Sequence, residues 1–166
     1  MGNILAIVGR PNVGKSTLFN RLTGSLEAIV DPTSGVTRDR HYGHSDWNGI
    51  EFSVIDTGGV MIGSDDVFEQ AIHKQVELAI EESDTILFIV DGREGLTPLD
   101  EDVAHMIRKS GKKSFLAVNK VDTPNLEHIM GEFYSLGFDN IFPLSASNGT
   151  GTGDLLDEIV KDFNNT

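Results

Sequence analysis

Residues 9–16 read G-R-P-N-V-G-K-S and come directly after the apolar run N-I-L-A-I-V at 3–8. The eight residues fit G-x-x-x-x-G-K-[ST], and a helical pattern, K-S-T-L-F-N-R-L-T-G, begins inside them and stops at Gly24. A strand, a glycine-rich loop and a helix in that order make a phosphate cradle. Gly9 and Gly14 let backbone N–H groups curl round phosphate oxygens, and the helix N-terminus adds its dipole. Lys15 is placed to neutralise the β- and γ-phosphates and Ser16 to ligate Mg²⁺. Val13 and Thr17 complete the expected contact set. Both Lys15 and Ser16 are expected to point at ligand, not core. The plainer reading, a structural glycine turn before a helix, fits this context much less well.

The rest of the chain alternates in the same way. "HYGHSDW" and "IEFSVID" flank Asn48-Gly49, the strongest short hairpin signal, so two antiparallel strands are expected there. A helix follows with Phe68, Ile72, Val76, Ala79 and Ile80 on one face. "TILFIV" (85–90) reads as a buried strand, then a helix carries Leu99, Val103 and Ile107. "SFLAV" (114–118), a helix near 125–136 ending at Gly137, a short strand "NIFPL" and a helix with Leu155, Leu156, Ile159, Val160 and Phe163 complete the order. Strands separated by helices predict an α/β fold: a doubly wound, mostly parallel six-stranded sheet with one antiparallel strand. Ligands of such sheets bind beyond the carboxyl ends of the strands, where every motif here falls. Residues 25–40 read as a long polar loop, a length more often functional than idle.

The composition narrows the class. The 166 residues suit one domain, and 39% hydrophobic content fits an ordered globule. With no cysteine there are neither disulfides nor thiolate metal sites, and the five histidines show no metal spacing. The net charge of −13 repels nucleic acid at long range, so this domain is not expected to grip RNA strongly. The early apolar run is too short to span a membrane and lacks the flanks of a signal peptide. Ala6 stands where a myristoylation signal needs Ser or Thr. A soluble, cytoplasmic protein is expected.

Asp56 ends a predicted strand in the stretch D-T-G-G, as a Mg²⁺-holding carboxylate should, and the Gly59 N–H would meet the γ-phosphate. Thr37 in the long loop is the expected second hydroxyl ligand to Mg²⁺, with Thr33 and Ser34 as rivals. The base is read elsewhere. "NKVD" (119–122) follows a strand, and Asp122 can accept from guanine N1–H and N2–H₂, which adenine does not offer. Lys120 can lie along the purine face, and Asn119 can tie its loop to the phosphate loop. "SAS", Ser145 to Ser147, would present the Ala146 N–H to guanine O6. The pattern argues for GTP over ATP.

Taken together, "GRPNVGKST", "GVTRDR", "DTGGV", "NKVD" and "SAS" resemble, in order, the five G-motifs of the TrmE–Era–EngA-like GTPases. The likeness covers essentially the whole chain and looks strongest to the first G domain of tandem-G-domain members. It implies a Ras-like fold, GTP binding and hydrolysis, and a role in assembly of the large ribosomal subunit. It also implies a longer protein carrying a second G domain and a KH-like domain, from which residues 1–166 form a single GTP-binding domain. G domains of related tRNA-modifying or iron-transport GTPases are the rivals; "DTGG" and "GTGTGDLLD" argue against them.

Val60 stands where Ras-like GTPases carry a water-orienting glutamine, and the resemblance places the chain among members with an apolar residue there. Gln70 and Gln75 lie too far along the next helix to substitute simply. Catalysis then falls to Lys15, Thr37, Gly59 and Asn12. Family members with this asparagine are potassium-stimulated, so Asn12 is read as a K⁺ ligand, against the alternative that it only tolerates a left-handed turn. Arg38 and Arg40 fit solvated loop residues better than phosphate or partner contacts. A nucleotide-responsive docking module with negligible turnover is the rival outside the enzymes, and Val60 favours it.

Overall fold

Strand β1 (Ile4–Val8) lies inside a six-stranded sheet, with four of its five residues buried. The computed structural model describes residues 3–10, 13–23, 41–56, 65–121, 126–161 and 163. A strand apolar at every position must be covered on both faces, which requires helices above and below. The sheet order is β2-β3-β1-β4-β5-β6, from β2 (His41–Trp47), β3 (Ile50–Asp56), β4 (Thr85–Asp91), β5 (Lys113–Asn119) and β6 (Ile141–Pro143). Only the β2–β3 pair is antiparallel.

The period-2 alternation of the strands divides the core in two. Leu5, Ile7, Leu87, Ile89, Phe115 and Ala117 pack on one face against α1 (Lys15–Thr23) and α5 (Thr152–Val160). Ala6, Val8, Ile86, Phe88, Val90, Leu116 and Val118 face the opposite way, onto α2 (Asp65–Glu82), α3 (Pro98–Ser110) and α4 (Leu126–Phe133). The fold is therefore the doubly wound, mostly parallel sheet the alternation predicts, as the Ras-like fold implied by the resemblance also requires. Helices α2, α3 and α5 present the apolar faces read from their 3.6-residue period: Ile72, Val76 and Ala79 of α2 are at most 2% exposed.

Local chemistry explains the element ends. Asn48 and Gly49 have φ of 56° and 81°, the two positive values a type I′ turn needs, and the register runs from Trp47↔Ile50 to His41↔Asp56. Helix α3 opens on a capping box in which Thr97 and Asp100 satisfy each other's backbone N–H groups, with Pro98 in the first turn. Two boundaries differ from expectation. The helix near 125–136 stops at Phe133, and Tyr134–Leu136 tighten into a 3₁₀ turn before Gly137, whose φ is 83°. Phe163 lies past the end of α5, yet it is buried, with its ring 5.3 Å from that of Phe52. Its apolar face is used although its backbone is not helical.

Candidate nucleotide-binding site

The strand register gathers the predicted residues at one end of the sheet. Asp56 lies opposite Ile7, two residues before Gly9, and Asp91 lies opposite Asn119. The phosphate loop thus emerges between a carboxylate on β3 and the loops that leave β4 and β5.

Lys15 opens α1, and its Nζ is 2.8 Å from Asp56 Oδ1. Both side chains are buried, that of Lys15 3% exposed and that of Asp56 4%. An ammonium buried so deeply needs a carboxylate beside it, and β3 supplies one. Ser16 and Thr17, by contrast, are exposed at the helix start.

Gly14 has φ of 101°, and a Cβ there would collide with the Asn119 side-chain amide. Glycine is required on both counts. The Asn119 amide donates to Val13 O at 2.7 Å, and its Oδ1 accepts from the Ala146 N–H at 2.8 Å. One buried side chain therefore fastens the phosphate loop to the Ser145–Ser147 loop. The first of these bonds is the tie expected of Asn119. The second was not foreseen: the Ala146 N–H is bonded to Asn119 here.

Lys120 adopts φ of 66° and sets its Nζ 3.0 Å from Asp91 Oδ2. Asp91 Oδ1 also accepts from the N–H groups of Arg93 and Glu94. Burial alone would raise the Asp91 carboxyl; the Lys120 bond and the two backbone N–H groups outweigh it and hold it below the ordinary carboxylate value. The remaining site oxygens, Ser145 Oγ and Ser147 Oγ, lie 3.4 Å apart.

Four residues join the site without having been singled out for it. Arg21, in the last turn of α1, donates from Nε to Ala146 O at 2.7 Å and from Nη2 to Ser147 O at 2.9 Å. Arg10, inside the phosphate loop, donates to Glu94 Oε1 at 2.8 Å, while its buried Nε sits 3.6 Å from Asp100 without a hydrogen-bond partner. Gln75 of α2 accepts from the Gly9 N–H at 3.3 Å. Asp91 is the fourth. The sequence held a signal for one of them: Asp91 ends an apolar strand run as Asp56 does.

Asn12, Thr37, Gly59, Val60 and Asp122 lie outside the described residues, as do Thr33, Ser34, Arg38 and Arg40. For Mg²⁺ the described donors fit: the Ser16 hydroxyl and the Asp56 carboxylate are hard oxygens, one at the start of α1 and the other at the end of β3. Among the described residues no His/Cys/Asp/Glu cluster suited to a metal occurs, and no helix is long and apolar enough to cross a membrane.

Comparison with known proteins agrees with this arrangement. Residues 4–120 match the family model described as "50S ribosome-binding GTPase". The chain belongs to this GTPase family. It is 62% identical over 161 residues to GTPase Der of Christiangramia forsetii, covering 97% of this chain and 37% of that protein. To GTPase Der of Cytophaga hutchinsonii it is 56% identical over 163 residues, covering 98% and 38%. The chain thus spans somewhat over a third of the curated relatives it matches. Among solved structures, Aquifex aeolicus Era bound to GDP and AlF₄⁻ superposes with a TM-score of 0.76 at 33% identity, over 95% of this chain and 56% of that one. Era in complex with MgGDPNP and a 16S ribosomal RNA segment gives a TM-score of 0.77 at 32% identity, over 95% and 55%.

Proposed function

We propose that this chain is a GTP-binding and GTP-hydrolysing switch domain that takes its nucleotide with Mg²⁺. The observation that carries the reading is the Asn119 bridge, which locks the phosphate loop through Val13 and the base loop through Ala146. A site that reads both ends of one nucleotide needs those loops at a fixed separation. Lys15 meets phosphate charge, and Ser16, Thr37 and Asp56 hold Mg²⁺, which polarises the phosphate oxygens when bound. Asp122 reads guanine N1–H and N2–H₂. The Ala146 N–H is the donor for O6 and must share or exchange its bond to Asn119 to reach it. Residues 25–40 and 57–67 act as the segments that order on the γ-phosphate.

The family model's description and the Era complex with 16S ribosomal RNA support work on the ribosome, here as one G domain of a longer protein with a second G domain and a KH-like domain. The acidic domain itself would not supply strong RNA contacts, and a cytoplasmic location follows from that work. With Val60 in the glutamine position, K⁺ held by Asn12 would complete the charge compensation beside the phosphates. The test of the base site is competition binding of GTP, ATP and XTP to the wild type and to Asp122→Asn. The variant is expected to weaken GTP and favour XTP; an unchanged preference for GTP would defeat the assignment.

Val60 also favours a second reading, a docking module with negligible turnover. Single-turnover hydrolysis in matched KCl and NaCl separates the two. Faster cleavage in KCl supports the K⁺-assisted enzyme, and no cleavage in either salt supports the docking module.

A further inference from the structure

We propose that Arg21 is a positioning residue for recognition of the guanine 6-oxo group, acting through the Ser145–Ser147 loop. The inference rests on the guanine-nucleotide reading above. Arg21 spans two successive carbonyls with one guanidinium, Nε to Ala146 O at 2.7 Å and Nη2 to Ser147 O at 2.9 Å. Such a rigid fork fixes the orientation of a loop, where a lysine would fix only a point. The loop makes room for it. Gly149 has φ of 89°, and a Cβ there would lie 2.8 Å from Arg21 Nη1. Backbone bonds close the loop around the same residues: Gly149 N–H to Ser145 O at 2.8 Å and Ser145 N–H to Thr150 O at 2.9 Å.

Ala146 is therefore held from two directions. Its N–H is bonded by Asn119, and its carbonyl by Arg21. Asn119 ends β5, whereas Arg21 belongs to α1, the helix that starts with Lys15. Six residues of helix separate the two cations, about 9 Å of rise. Helix α1 thereby serves as a spacer, with the phosphate lysine at one end and the support of the base loop at the other. A cation in the last turn of a helix also meets the helix dipole, and that role alone would affect stability without affecting which base is bound.

The experiment compares binding of GDP, 6-thio-GDP and IDP to the wild-type chain, Arg21→Ala, Arg21→Lys and Arg21→Gln, with thermal melting of each. 6-Thio-GDP keeps the edge that Asp122 would read and replaces only the 6-oxo acceptor by sulfur. IDP keeps the 6-oxo group and lacks the 2-amino group. Arg21→Ala is expected to bind GDP roughly five- to twentyfold more weakly. Its preference for GDP over 6-thio-GDP should shrink, while its preference for GDP over IDP stays as in the wild type. Arg21→Lys should regain melting temperature without regaining the 6-oxo preference. Should the alanine variant not fold, Arg21→Gln, which keeps one donor, gives the same comparison. Both preferences unchanged, or both falling together, would overturn the inference and leave Arg21 a stabilising cation. A wild-type chain that binds no GDP would overturn the guanine reading and this inference with it.

Discussion

Lys15 Nζ lies 2.8 Å from Asp56 Oδ1, and neither side chain is more than 4% exposed. A buried ion pair is worth little over an apolar replacement, but losing one partner strands the other charge. Asp56→Asn should therefore lower nucleotide-free stability by about 3 kcal/mol, read as a melting temperature roughly 6–12 °C lower. Ser16→Ala, at an exposed position, should change stability by less than about 0.5 kcal/mol while weakening Mg²⁺-dependent nucleotide binding. Thermal melts and titrations on both variants check this. An Asp56→Asn chain that melts like the wild type would show the pair to be unimportant.

Asn119 makes one bond as donor and one as acceptor between two loops, so its removal orphans Val13 O and the Ala146 N–H together. Asn119→Ala should cost about 2–4 kcal/mol of stability and lower affinity for GDP. Asn119→Asp keeps the acceptor for Ala146 but sets a carboxylate against the Val13 carbonyl. It should fare no better than alanine, as chemical denaturation with and without GDP would reveal.

The Asp91 carboxyl is held below its ordinary value, against burial, by Lys120 and the Glu94 and Arg93 N–H groups. A carboxyl depressed in the folded state contributes stability that is complete above its unfolded value, near 4. That contribution is lost as pH falls through the folded value. The stability gap between wild type and Asp91→Asn should thus stay constant from pH 7 to about pH 5 and close below about pH 4. Urea titrations across that range measure it; a gap that widened in acid would contradict the assignment.

Gln75 Oε1 accepts from the Gly9 N–H at 3.3 Å. This bond joins α2 to the first residue of the phosphate loop. Gln75→Leu keeps the volume and removes the acceptor. Hydrogen exchange at the Gly9 amide should quicken roughly five- to tenfold. Amide exchange followed by NMR reads the position directly, and an unaltered rate would mean the bond carries no weight.

Much of this was legible because the relevant physics is local. The β2 and β3 limits, the type I′ turn at Asn48-Gly49 and the burial of β4 follow from turn chemistry and from period-2 or continuous apolar runs. The phosphate loop and Asn119 were legible because their spacing reflects a single purpose. The burial of Lys15, the fork of Arg21 and the bond from Gly9 to Gln75 were not. Each depends on residues between 41 and 126 positions apart that only the register of the sheet brings together. The 3₁₀ turn at Tyr134–Leu136 escaped because an apolar stripe tracks which side is buried and not how tightly the backbone winds.

The placement of β1 carries a consequence for how the chain comes into being. Its neighbours on either side are β3 and β4, with Ile4 opposite Ser53 and Leu5 opposite Thr85. Of the strands with two neighbours, β1 thus waits longest for its second partner, which arrives 80 residues later. At about 5–20 residues per second, that delay during synthesis is roughly 4–16 s. Until β3 arrives, 49 residues after Ile4, this wholly apolar segment has no neighbouring strand to pair with. Folding dominated by such distant pairings is slow for reasons of loop closure alone. The earliest partner for Ile4–Val8 is then the β2–β3 hairpin, and the strand's other edge is covered only once β4 has appeared.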